Sequence, residues 1–221
     1  MQAMKVLQSE RLISVTILVT IVTKMITILK PGCRSIMHLF YKNKAARLHL
    51  REIARQAGLH EPSATRFLKA LEKEGILKSE KDGNMKKYSV KSAKRAYLIF
   101  EMFDIERLES LPFIRRNAIK QYLDSLQEKP VFAVLFGSTA KGTYREDSDI
   151  DMLIVTNRKI DASGAEKEAE ALTAMRISTF QMALKGFLTE LKLKEEHVIQ
   201  SAIASGFPLI NHIAYYEALH G

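Results

Sequence analysis

The sequence predicts an α+β fold built in two parts, and three observations predict it. Helix-spaced apolar residues and one short hairpin fill the stretch up to residue 95. Two apolar strands bracket a glycine-serine turn and paired aspartates after residue 130. Charge divides the same way: residues 31–95 carry 16 Lys and Arg against 6 Asp and Glu, while residues 130–221 carry 9 against 12. The whole chain has 221 residues and a net charge of +9. At roughly 100–200 residues per domain, that length allows one large domain or two small ones, and the charge division favours two. Hydrophobic residues make up 47% and charged residues 27%, which excludes wholesale disorder and a collagen-like chain. A single cysteine, Cys33, excludes an internal disulfide and predicts a reducing, cytoplasmic setting. The expected division is 1–30 as an N-terminal segment of open status, 31–95 as a basic domain, 96–129 as a helical connector and 130–221 as a second domain.

Residues 12–23 (LISVTILVTIVT) form an uncharged apolar run. It is short of the ~20 residues that span a bilayer, and no small-residue cleavage site succeeds it, so no membrane partner is expected. Three readings of the segment stay open: an anchor, a packed strand or helix, and an extension preceding a start at Met25. Pro31-Gly32 separates this segment from the basic domain.

Ile36, Leu39 and Phe40 set a first helix, and Leu48–Leu50 is short and extended. Leu50, Ile53, Ala54 and Ala57 share one face of a second helix, stopped at Gly58. Pro62 opens a third, over 62–74, with Ala64, Phe67, Leu68 and Leu71 inward and Gly75 at its end. Two short runs around Lys81-Asp82-Gly83-Asn84 read as a hairpin. This order is that of a winged helix-turn-helix, and LHLREIARQAGLHEPSATRFLKALEKEGILKSEKDGNMKKYSV resembles the DNA-binding domain of many archaeal and bacterial regulators. The resemblance implies that the helix at 62–74 enters a major groove, presenting Ser63, Thr65, Arg66 and Lys69, while Lys81, Lys86 and Lys87 of the hairpin touch the backbone or minor groove. The expected partner is double-stranded DNA, which the positive surplus favours over a protein-contact surface.

Residues 96–110 are apolar at Tyr97, Leu98, Phe100, Met102, Phe103, Ile105 and Leu108, a wide arc, so this helix should be buried, between domains or between subunits. A second helix begins near Pro112, with Ile114, Ala118, Ile119, Tyr122, Leu123 and Leu126 inward. Winged-helix proteins often dimerise through such a helix, and the resemblance implies a homodimer.

Val131–Phe136 is a short buried strand. It leads into Gly137-Ser138-Thr139-Ala140-Lys141-Gly142 and then Ser148-Asp149-Ile150-Asp151, which enters the strand MLIVT. Residues i and i+2 of a strand share a face, so Asp149 and Asp151 point the same way, about 7 Å apart. Two carboxylates so placed can hold divalent cations that clamp a triphosphate. Gly137 admits close backbone approach, Ser138 offers a hydroxyl, Lys141 and Arg145 offer positive charge, and Ser148 fixes the loop. The pattern resembles the signature of the DNA polymerase beta nucleotidyltransferase superfamily, closest to its minimal members, over residues 130–211. The resemblance implies an α/β nucleotidyltransferase-like domain with a small mixed sheet. It also implies Mg²⁺ and a nucleoside triphosphate, ATP by expectation, with Asp149 and Asp151 as metal ligands and catalytic residues.

The sequence departs from that pattern at one place. Active members carry a third carboxylate on a later strand, which can activate the attacking hydroxyl. From Arg176 to Gly186 there is no Asp or Glu, and Ser178, Thr179 and Gln181 fill the window of the expected strand 177–183. Asp161, Glu166, Glu168 and Glu170 precede it and should face solvent, and a single helix is expected over 188–205, bounded by Gly206. No His or Cys stands at zinc-ligand spacing. The leading expectation is a DNA-binding regulator whose second domain binds Mg-NTP, with nucleotidyl transfer left open by the missing third carboxylate. Two alternatives stand: an antitoxin-like adenylyltransferase acting on a protein hydroxyl, and a DNA-binding protein with a dead transferase domain.

Overall fold

The computed structural model describes residues 30–91, 94–158 and 160–220. The apolar run at 12–23 therefore lies outside the described residues. The described residues form two compact units, divided between Ala96 and Tyr97.

In the first unit, α1 (Pro31–Lys42), β1 (Leu48–His49), α2 (Leu50–Ala57), α3 (Glu61–Lys73), β2 (Leu77–Asp82) and β3 (Met85–Val90) come in order. Each helix is amphipathic, and their apolar stripes meet in one core of Cys33, Ile36, Met37, Phe40, Ile53, Ala54, Ala64, Leu68 and Leu71. The three strands are antiparallel in the order β1-β3-β2. Asp82 and Met85 close the hairpin around Gly83-Asn84, where Gly83 has φ +59°, a conformation the two-residue turn needs. This is the winged helix-turn-helix expected from the sequence.

The second unit begins inside α4 (Lys94–Glu109), from Tyr97 onward, and includes α5 (Phe113–Ser125). Phe100 and Phe103 are buried; Tyr97 stacks on Tyr216 of α10 (His212–His220), and Phe100 meets the same ring edge-to-face. The sheet has four strands in the order β6-β5-β4-β7: β4 (Phe132–Leu135), β5 (Ile150–Thr156), β6 (Ile177–Ala183) and β7 (Phe207–Ile210). It is mixed, because β5 pairs antiparallel with β4 and parallel with β6. The parallel pair needs a crossover, and α7 (Ser163–Thr173) supplies it. Alternation along β5 sorts the two faces. Ile150, Met152 and Ile154 pack on Ala118, Ile119 and Tyr122 of α5 and on Ala165 and Ala169 of α7. On the opposite face Phe132 packs edge-to-face on Phe187 and Tyr215.

The helix expected over 188–205 is instead two, α8 (Leu184–Leu193) and α9 (His197–Ser205). Lys194 takes φ +59° and ends α8 with its N–H on the Glu190 carbonyl. The buried Glu190 carboxylate then accepts the Glu196 N–H at 2.8 Å and Gln200 Nε2 at 3.1 Å. These bonds tie the end of α8 to the start of α9 and fix the break.

Candidate functional site

The C-terminal end of β4 and the N-terminal end of β5 lie side by side, since the Phe136 N–H donates to the Asp151 carbonyl at 3.0 Å. Between them runs α6 (Gly137–Lys141), capped by Gly142 at φ +71°, and then the loop to Asp149. Gly137 has φ +69° and lies directly against the Asp151 carboxylate; a Cβ there would sit 2.9 Å from Asp151 Cγ, and closer still to Oδ2. Only glycine serves both the backbone angle and the close approach. The Asp151 carboxyl is held above the usual carboxylate range, first by burial and then by the charge of Asp149. Asp149 stands one residue before β5 and shares the face of Asp151. Two like charges on one half-buried face favour a cation between them.

The loop is organised from α5. Arg115 is 2% exposed. Its fork donates to Thr139 Oγ1 at 3.0 Å and to the carbonyls of Ser148 at 3.1 Å, Arg145 at 2.7 Å and Glu146 at 3.3 Å. Its guanidinium also lies 4.1 Å from the centroid of Tyr144. Ser148 Oγ accepts the Arg145 N–H at 2.8 Å, which ties this hydroxyl oxygen to the loop and leaves its O–H able to donate. From α4, Arg107 donates to the carbonyls of Ala140 at 3.0 Å and Ser205 at 3.2 Å. Lys141 and Arg145 are exposed, and Ser138 is half-buried with no side-chain hydrogen bond to a described residue. These three are oriented by the loop and not consumed by it.

Parallel register sets the neighbour strand: Ile150 pairs with Ile177, Asp151 with Ser178 and Met152 with Thr179. A serine stands beside Asp151, where a third carboxylate would lie. Glu166, expected in solvent, is half-buried and accepts the Thr179 hydroxyl. Thr179 shares the face of Met152, across the sheet from Asp151, so Glu166 cannot join the pair. Arg176 reaches it instead, with Nε 3.8 Å from Asp149 Oδ2.

The basic surface of the first unit centres on α3. Ala64, Leu68 and Leu71 are buried, which turns Arg66, Lys69 and Lys73 outward, all exposed. Arg66 lies over the Phe67 ring at 5.0 Å. Ser63 and Thr65 flank that face, and the Thr65 hydroxyl donates to the Glu61 carbonyl at 2.8 Å. On the hairpin, Lys81 and Lys86 are direct cross-strand partners and both exposed. Like charges directly opposite destabilise a strand pair, and an anion relieves that. Lys87 differs, because its Nζ is held 2.5 Å from Asp82 Oδ2 and pulls that carboxyl below the usual range.

Residues 116–206 match the nucleotidyltransferase domain family, and residues 36–81 match the IclR helix-turn-helix domain family. The chain joins a DNA-binding helix-turn-helix domain to a nucleotidyltransferase domain. No curated protein matches the sequence. Among solved structures, the transcriptional repressor BigR from Xylella fastidiosa is 19% identical, with a TM-score of 0.37 over 46% of this chain and 98% of that one. The homodimeric winged helix-turn-helix DNA-binding domain of Mb0332 from Mycobacterium bovis is 16% identical, with a TM-score of 0.37 over 44% and 87%. TrmBL2, an archaeal chromatin protein, is 18% identical, with a TM-score of 0.22 over 72% and 74%.

Within the nucleotidyltransferase domain, sequence reasoning missed Arg115 and Arg176, and on the helix-turn-helix it missed Lys73. Arg115 carried a signal: it precedes Ala118, Ile119 and Tyr122 on the inward stripe of α5, where a charge needs a reason. Among the described residues no three His, Cys, Asp or Glu side chains gather as a metal cluster, and no helix is long and apolar enough to cross a membrane.

The Asp151 shift has a sign. A carboxyl whose folded value is raised adds stability below its unfolded value, and that stability is lost as pH rises through the raised value. Asp151→Asn is therefore expected to gain thermal stability over wild type at pH 7, with the gain vanishing near pH 3. Thermal unfolding at both pH values checks this, and an equal gain at both would refute it.

Proposed function

We propose that this regulator binds double-stranded DNA through residues 31–95 and a nucleoside triphosphate, as its magnesium complex, through the nucleotidyltransferase domain. The observation that carries the second half is the pair Asp149 and Asp151 on one face, with Gly137 against the Asp151 carboxylate. Two carboxylates and an open rim fit one hydrated divalent ion, which takes its remaining ligands from water and phosphate. Such an ion would neutralise triphosphate charge; Asp149 and Asp151 would hold it, and Ser138, Lys141 and Arg145 would receive phosphate oxygens. ATP is the first nucleotide to test, in the cytoplasmic setting where DNA and triphosphates meet.

The serine beside Asp151 favours binding over transfer, because it stands where a third acid would take a proton from an attacking hydroxyl. A nucleotidyl acceptor, including a protein hydroxyl, is accordingly the second reading. A homodimer is supported by Leu98 and Ile105, exposed at 51% and 46% one heptad apart on α4. Titration calorimetry with ATP, CTP, GTP and UTP, each with and without Mg²⁺, tests the triphosphate reading; no heat with any of them at millimolar concentration defeats it. Pyrophosphate release in the same samples would establish transfer.

For the DNA half, Arg66→Ala is expected to weaken a preferred site more than random duplex, since an arginine on a groove-facing helix reads guanine edges at about 1–3 kcal/mol. Lys73→Ala should weaken both equally and flatten the salt dependence by about one unit of slope. Gel-shift titration over a range of salt reads both. Equal losses for Arg66→Ala would refute its base-reading role.

A further inference from the structure

We propose that Arg176 stands in for a second metal ion at the carboxylate pair, so that the domain holds a triphosphate on one divalent ion and one guanidinium. The inference rests on the triphosphate reading above and specifies how that site is charged. Strand register carries it. Asp151 is paired with Ser178, and one residue earlier the Ile150 N–H donates to the Arg176 carbonyl at 2.9 Å. Asp149 and Asp151 therefore face Arg176 and Ser178 across adjacent parallel strands, as a square of two acids, one cation and one hydroxyl. Arg176 Nε lies 3.8 Å from Asp149 Oδ2. A second divalent ion needs carboxylates of its own, and no third acid, histidine or cysteine gathers with these two among the described residues. A guanidinium needs no ligands. It brings one positive charge and a planar fork of N–H donors that matches phosphate oxygens. The Arg176 side chain is 73% exposed, so its stem is free to turn from Asp149 to a phosphate bound beside it.

The test uses the full chain, ATP as the triphosphate and Mn²⁺ as a paramagnetic probe of the Mg²⁺ site. Mn²⁺ is counted by electron paramagnetic resonance and ATP affinity is measured by calorimetry. Wild type is expected to bind one Mn²⁺ per bound ATP. Arg176→Ala should weaken ATP by roughly 10- to 100-fold, the loss of one charged hydrogen-bonding group, while the thermal midpoint without ATP stays unchanged at this exposed position. Arg176→Lys should recover part of the affinity, keeping the charge but not the fork. The double change Arg176→Ala with Ser178→Asp should bind ATP with two Mn²⁺. Two Mn²⁺ in wild type, or Arg176→Ala binding ATP within twofold of wild type, overturns the proposal and leaves the triphosphate reading intact. No ATP binding by wild type overturns both.

Discussion

Arg115→Met is expected to lower the thermal midpoint of the nucleotidyltransferase domain by roughly 10 °C. The guanidinium donates to one hydroxyl and three carbonyls of the segment 139–148. Hydrogen bonds from a charged donor contribute about 1.5–3 kcal/mol each, but water replaces part of the loss at the carbonyls, so a total near 3 kcal/mol is reasonable. Unfolding entropy of about 2 cal/mol/K per residue, over a unit of this size, converts that loss to the stated shift. The same change should cost triphosphate affinity, because Lys141 and Arg145 sit on the segment that loses its anchor and Ser138 adjoins it. Arg115→Lys should recover less than half, since one ammonium cannot span oxygens spread over the loop. Scanning calorimetry settles the matter: a midpoint within a degree of wild type for Arg115→Met would mean that the loop holds itself.

The double change Asp149→Asn and Asp151→Asn is expected to abolish metal-dependent triphosphate binding, by at least about 100-fold, while the domain stays folded. Neutral amides remove the two anionic ligands on which a hard divalent ion depends. They also remove two like charges from one half-buried face, so the metal-free midpoint should rise slightly and not fall. Calorimetric titration of Mg-ATP together with thermal unfolding reads both effects. Retention of Mg²⁺-dependent affinity within threefold of wild type would refute the assignment of these residues as metal ligands.

Much of this architecture is legible in the sequence. An uninterrupted apolar run marks β4, the stop at Gly142 marks a short helix, and alternation across Asp149-Ile150-Asp151 sets the shared face, because each depends on periodicity within a few residues. The 177–183 window, read as a strand lacking an acid, is β6, and register places its serine beside Asp151. The features that stay hidden are decided by partners far along the chain. Arg115 acts on residues about thirty positions away. Arg176 gains its meaning only from pairing with β5. Glu166 and Glu190 look like ordinary surface acids on a helical wheel, yet each is claimed by a hydroxyl, amide or N–H group that no local pattern announces.

The order of strands in the sheet has a consequence for how the chain is made. β7 closes the sheet against β4, and Tyr216 of α10 donates to the buried Asp104 of α4 at 2.6 Å, across 112 positions of sequence. A ribosome releases the helix-turn-helix with its short-range contacts long before residue 216 emerges. That part can fold during translation, whereas the nucleotidyltransferase domain has to wait for residues 207–216, its sheet edge and aromatic core uncovered until then. Deleting residues 212–220 would spare the helix-turn-helix and deny the sheet the helix that carries Tyr215 and Tyr216.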